Sequence, residues 1–306
     1  MGNIPEFDSL TNSDPQQYVN GENQEPSQLR AERLAPFGKT PDRLMRSVDL
    51  LIKSCHLGTI EVIGKENLNA LPEGQKVVVA CTHISDIDVP VAIQVLGNDL
   101  RLKLSDQSVH HNFKEEPSMN ISMNIAGKDN FFPIDYGGKG AEKHSAAFNP
   151  DNFVPMMNAM DEGVSIIMAG HSPSADGHLE KGGYGAAYLA EMADAIVLPI
   201  SVDVMTKHPN GYDNISMIKH FFKTLVKKSD VSVRIGEPFH LEKIEDIEKI
   251  KLMMDKRKSG IRLDQEEYSE FTRLLGEIRE QSKVIIGKLA GITPAEKRGD
   301  IIPIQE

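Results

Sequence analysis

A chain of 306 residues with 40% hydrophobic content has room for one large or two small domains and a sizeable core. Its net charge of −11 and pI near 5.4 exclude the basic footprint that broad nucleic-acid binding needs, so no nucleic-acid partner is expected. Two cysteines, Cys55 and Cys81, lie in apolar surroundings; they suggest no disulfide framework or zinc site and fit a reducing, cytoplasmic setting.

Residues 1–29 hold five acidic residues and no Lys or Arg, with abundant Pro, Gln, Asn and Ser, which predicts a polar, disordered leader over 1–40. Met1 to Glu6 lacks the basic and apolar regions of a secretory signal, and Gly2 is not followed by the residues a myristoylation signal prefers. A helix is expected from Thr40-Pro41 to about His56. It gathers Leu44, Val48, Leu51, Ile52 and Cys55 on one face beside Arg43, Arg46 and Lys53, and such a stripe predicts packing on the chain's own core. Strands are expected at about Thr59 to Ile63 and from Val77, then a helix over Val89 to Leu96 with Pro90 in its first turn. A short strand at Leu100 to Leu104, with a helix after it, leads into strands at Phe131, Ile166 and Ile196.

This strand–helix alternation is the signature of an α/β layer over residues 41–240. The tail, 241–306, reads as a helical extension packed on that layer, with Tyr268, Phe271, Leu274, Leu275, Ile278 and Val284 at near-helical spacing. No apolar run approaches the roughly 18 residues a membrane-spanning helix needs. Contact with lipid would therefore be peripheral, at the inner face of the membrane. The stretch Ile218 to Lys228, with Phe221, Phe222 and four lysines, reads equally as an interfacial helix or as a core helix with solvated lysines.

Directly after the apolar run Val77-Val78-Val79-Ala80-Cys81 comes Thr82-His83-Ile84-Ser85-Asp86-Ile87-Asp88. A histidine at a strand exit can act as a base near neutral pH, and a carboxylate can fix its tautomer and stabilise the imidazolium. Three further segments follow in order: Asn130-Phe131-Phe132-Pro133-Ile134-Asp135-Tyr136, then Ile166 to Gly177 with Glu180-Lys181-Gly182-Gly183 after it, then Ala195-Ile196-Val197-Leu198-Pro199-Ile200.

In these blocks the chain resembles the glycerol-3-phosphate and lysophosphatidic acid acyltransferase family, over about residues 41–240. The resemblance implies a single layered α/β domain with a mixed sheet. It also implies transfer of a fatty acyl group from acyl-CoA or acyl-carrier protein to the hydroxyl of a lipid or other acceptor. His83 would be the general base, oriented by Asp88 at His-x4-Asp spacing. No metal and no cofactor beyond the acyl donor is implied. Tyr136, Gly170, His171, Ser172 and Lys181 fall at the positions that would touch substrate. Backbone N–H groups near Gly170 or around Leu198-Pro199-Ile200 are the expected donors to the oxyanion.

The departures lie at the acceptor end. Tyr136 stands where the family's second block ends in Arg, and Ala169-Gly170-His171-Ser172 stands where its third reads Glu-Gly-Thr-Arg. Those arginines are the expected clamp on an acceptor phosphate, because a guanidinium donates two parallel hydrogen bonds. Their absence leaves open an acceptor without a phosphate, or one presenting it elsewhere; a catalytically weak lipid- or partner-binding protein stays open too. A third reading takes Gly170-His171-Ser172-Pro173-Ser174 as a nucleophile elbow, with Ser172 as nucleophile and Asp203 and His240 following in chain order, although Pro173 and Gly177 interrupt the helix the elbow needs. Gly137-Gly138-Lys139-Gly140 does not meet the P-loop pattern.

Overall fold

The computed structural model of the chain describes residues 39–54, 57–85, 87–106, 126–133, 148–171, 177–204 and 229–304. Over these residues it runs α1 (Asp42–Ser54), β1 (Leu57–Ile63), β2 (Val77–Cys81), α2 (Asp88–Leu96), β3 (Leu102–Asp106), β4 (Phe131–Pro133), α3 (Val154–Asp161), β5 (Ser165–Ala169), α4 (Tyr184–Ala193), β6 (Ile196–Val204), β7 (Ser229–Ile235), α5 (Lys249–Lys258) and α6 (Gln265–Ile292). The strands form one seven-stranded sheet in the order β1-β7-β6-β2-β5-β3-β4. Every neighbouring pair is parallel except β6 and β7, so the sheet is mixed, as expected.

Valine and isoleucine runs make the central strands, because β-branched side chains suit a pleated surface covered on both sides. β2 and β6 are buried along their whole length. Their side chains alternate between two cores. Val77, Val79 and Cys81 meet Leu44, Val48 and Ile52 of α1 and the apolar side of α2. Val78 and Ala80 meet Met156 and Met160 of α3, Tyr188 and Leu189 of α4, and Phe271, Leu274 and Ile278 of α6. The long helix α6 begins with a reciprocal cap: Asp264 accepts from the Glu267 N–H at 2.8 Å, and Glu267 reaches back to the Asp264 N–H at 3.3 Å.

Several expectations shift. Leu51 is 37% exposed, so α1 packs through Leu44, Val48 and Ile52, with Met45 beside them, rather than through Leu51. Tyr268 is 63% exposed and belongs to the outer side of α6. The strand expected at Leu100 to Leu104 lies two residues later, and the helical tail is two helices separated at Gly260. α3 and β7 were not foreseen as elements. Among the described residues no helix is long and apolar enough to cross a membrane. The leader, Cys55, the helix expected after β3, Gly137 to Gly140 and Ile218 to Lys228 lie outside the described residues.

The strand directions position the site. β6, β2, β5, β3 and β4 end at the same edge of the sheet, and the chain leaves β2 toward β3 on one side while β6 lies on the other. The crevice at such a reversal of strand order is where open α/β sheets bind ligands.

Candidate active site

The sheet ladder continues one residue past β2. Thr82 is fully buried; its N–H donates to Ile200 O at 3.0 Å, and its hydroxyl accepts from the Val202 N–H at 3.0 Å. The chain then folds around a single carboxylate oxygen. Asp88, at the start of α2, directs Oδ2 back along the turn, where it accepts from the Ile84 N–H at 2.8 Å, the Ser85 N–H at 3.0 Å and the Thr82 hydroxyl at 3.3 Å. Five residues of chain are enough to close this loop, so the His-x4-Asp spacing has a backbone reason as well as a chemical one.

His83 is half-buried at the apex of the turn. Its backbone N–H donates to Nε2 of His171 at 3.0 Å, which fixes His171 as an acceptor at that nitrogen. The expected direct hydrogen bond from the His83 ring to Asp88 is not made. Instead His83 Nδ1 and Asp88 Oδ1 are both buried without a partner. Asp88 thus holds His83 through the backbone of the turn, with one oxygen and one ring nitrogen left over. Burial pushes the Asp88 carboxyl up to about 8, against the opposing pull of the Ser85 and Ile84 N–H groups, the Thr82 hydroxyl and the charge of Lys297. The neighbouring Cys81 thiol is pushed up as well, by burial and then by Asp88, which leaves it an inert core residue.

The exit of β5 supplies the opposite wall. Gly170 donates its N–H to Cys81 O at 2.7 Å, so this group is spent in the sheet and is not a free donor for an oxyanion. A Cβ at Gly170 would lie 2.6 Å from Leu289 Cδ1, and one at Gly182 would lie 2.4 Å from Ser282 Oγ. The glycines are there because α6 passes directly over both. His171 is buried and bridges to Gly182, which brings the exposed Lys181 within one residue of the His171 partner. Tyr136, Ser172 and Asp86 lie outside the described residues.

Groups that the sequence did not announce complete the neighbourhood. Thr293, just beyond α6, places Oγ1 3.0 Å from Ser201 Oγ of β6. Lys297 pairs with Asp203 and donates to Val204 O at 3.2 Å. Both contacts join residues more than ninety positions apart and left no local signal. The Asp203–Lys297 pair also bears on the acid and histidine named for the hydrolase reading. Asp203 is committed to a lysine, and His240 is exposed beside Phe239, which bridges to Val197 six residues back along β6, roughly 20 Å away at strand spacing. Asp203 and His240 do not come together.

No protein-family model and no curated protein matches the chain. Among solved structures it is similar to the crystal structure of the 1-acyl-sn-glycerophosphate (LPA) acyltransferase PlsC from Thermotoga maritima, with 15% identity and a TM-score of 0.42 over 80% of this chain and 86% of that one. That similarity is too low to assign a family or an activity to this chain.

Proposed function

We propose that the chain is an acyltransferase in which His83 is the general base, moving an acyl group from a thioester donor to an acceptor hydroxyl. The observation that carries the reading is the turn itself. An imidazole stands at the carboxyl edge of the central strand, its backbone pinned by His171, its Nδ1 unpartnered, and an unpartnered oxygen of Asp88 on the same turn. In the reaction, His83 takes the acceptor's proton as the acceptor oxygen bonds to the thioester carbonyl carbon. The C–S bond then breaks, and the imidazolium returns the proton to the thiolate. With Nδ1–H donated to Asp88 Oδ1, the imidazolium formed would hold that carboxylate ionised despite its burial.

The donor is acyl-CoA or an acyl-carrier protein, and the acceptor is a lysophospholipid, a glycerol phosphate or a related alcohol, met at a membrane surface or in solution. Tyr136 and Ser172, standing where arginines would clamp a phosphate, favour an acceptor that lacks a phosphate or presents it elsewhere. His171, Gly170 and Lys181 shape the wall toward that acceptor. Two features favour a second reading, a lipid- or partner-binding protein with little turnover: the unmade His83–Asp88 bond and the spent Gly170 N–H.

Thiol release from long-chain acyl-CoA and acyl-carrier protein, with glycerol 3-phosphate, lysophospholipids and unphosphorylated alcohols as acceptors, separates the two. Acceptor-dependent release by the wild type that disappears in His83→Ala supports the enzyme. Tight lipid binding without release from either donor supports the second reading.

A further inference from the structure

On the side of β6 and β7 covered by the end of the chain, the apolar pattern of the sheet breaks. Val231, Val233 and Ile235 of β7 are buried in the core beneath α1 and α2. The residues between them, Ser232 and Arg234, point to the other side with their register partners Asp203 and Ser201. A sheet face under a helix is ordinarily apolar. Here four polar side chains share one patch, and the segment after α6 satisfies only two of them, through Lys297 on Asp203 and Thr293 beside Ser201. Ser232 Oγ and Arg234 Nη1 are buried without a hydrogen-bond partner.

A cleft of about 540 Å³ opens beside them, and Arg234, Arg298, Lys288, Pro199 and Thr293 are among its walls. That volume lies within the range of small-molecule sites. Arg298 spends Nε on Thr293 O at 2.8 Å, which fixes the plane of its guanidinium. Among the described residues neither Arg234 nor Arg298 is paired with a carboxylate. Glu66 and Glu237 also line the cleft, but both are exposed and neither is paired with an arginine. Asp203, the buried acid on this side, is taken by Lys297. Two guanidiniums therefore border one cavity with no carboxylate bonded to either among the described residues. A cation withdrawn from water without an anion is costly, and the fork of an arginine matches the oxygens of a phosphate.

We propose that this cleft binds a phosphate group, with Arg234 and Arg298 as its ligands. The proposal does not depend on acyl transfer, since occupancy needs no turnover. The phosphate could belong to a free ion, to the nucleotide part of a coenzyme, or to a phosphorylated acceptor, and the same chemistry recognises all three.

Isothermal titration of the full chain at low ionic strength with inorganic phosphate, coenzyme A and glycerol 3-phosphate distinguishes these sources. The wild type is expected to bind at least one probe. Arg234→Leu and Arg298→Gln are each expected to weaken that probe about tenfold or more, the loss for a charge-assisted hydrogen bond. Preference for coenzyme A assigns the cleft to a donor, preference for glycerol 3-phosphate to an acceptor, and equal binding of all three to phosphate alone. Should circular dichroism show that Arg234→Leu is unfolded, Arg234→Lys, which keeps the charge and loses the fork, is expected to bind measurably more weakly than wild type. Failure of the wild type to bind any probe, or binding by the folded variants equal to wild type, overturns the proposal.

Discussion

The turn that carries His83 and the inner side of β7 both hold buried polar atoms without partners, yet they are built in opposite ways. In the turn, one carboxylate oxygen gathers three donors from within six residues of itself, so the geometry is local and closes on its own. On β7, the polar patch depends on residues from β6 and from the segment after α6, and the cleft beside it is open. The unpartnered atoms of the turn, His83 Nδ1 and Asp88 Oδ1, suit each other. Among the described residues the unpartnered Arg234 Nη1 makes no hydrogen bond and no ion pair. On the proposed readings, the first arrangement serves proton transfer and the second binds an anion.

Substitutions in the turn test whether its chemistry and its architecture separate. His83→Ala should remove the largest effect, about 10²- to 10⁴-fold in any acyl transfer, while thermal unfolding stays close to wild type because the backbone N–H on His171 is kept. Asp88→Ala should cost about 3 kcal/mol or more in denaturant unfolding, since it strands the Ile84 and Ser85 N–H groups and the Thr82 hydroxyl.

Asp88→Asn keeps an acceptor for those groups and so isolates the charge. The Asp88 carboxyl sits at about 8 in the fold against an ordinary 3.8, so the folded chain holds an extra proton between those values. Stability contributed by this group should therefore be greatest below about pH 4 and be lost as pH rises toward 8, at up to roughly 1.4 kcal/mol per pH unit. Asp88→Asn should lack that slope in unfolding curves measured across the window. An equal slope in both proteins would mean that Asp88 is ionised in the fold.

Smaller effects test the wall around the turn. Gly170→Ala drives a methyl into Leu289 and should destabilise by about 1–3 kcal/mol, whereas the same substitution made in a Leu289→Ala background should cost much less relative to Leu289→Ala alone. His171→Gln can still accept from the His83 N–H, whereas His171→Ala cannot; the difference between them should be about 1 kcal/mol in unfolding.

The same contrast explains what could be read from the sequence. The layers were legible because the valine and isoleucine runs are short, bounded and alternate with helical stripes, so α1, β2, α2, β5 and β6 fall close to their expected places. The His83 turn was legible because its parts lie within seven residues. β7 was not, since its covered residues alternate with the polar Ser232 and Arg234, which break the apolar signal of a covered strand. Nor was the role of Thr293 and Lys297, which reach Ser201 and Asp203 only after α6 has crossed the molecule. Gly170 was read as a site residue, and the close passage of Leu289 above it was a constraint that no local pattern announced.

Acceptor-dependent thiol release, compared between wild type and folded His83→Ala under identical donor and acceptor, tests the central claim most directly. Loss of that release by at least about a hundredfold, with the unfolding midpoint unchanged, is the predicted result. Release from the variant at the wild-type rate would contradict it and remove His83 from the chemistry.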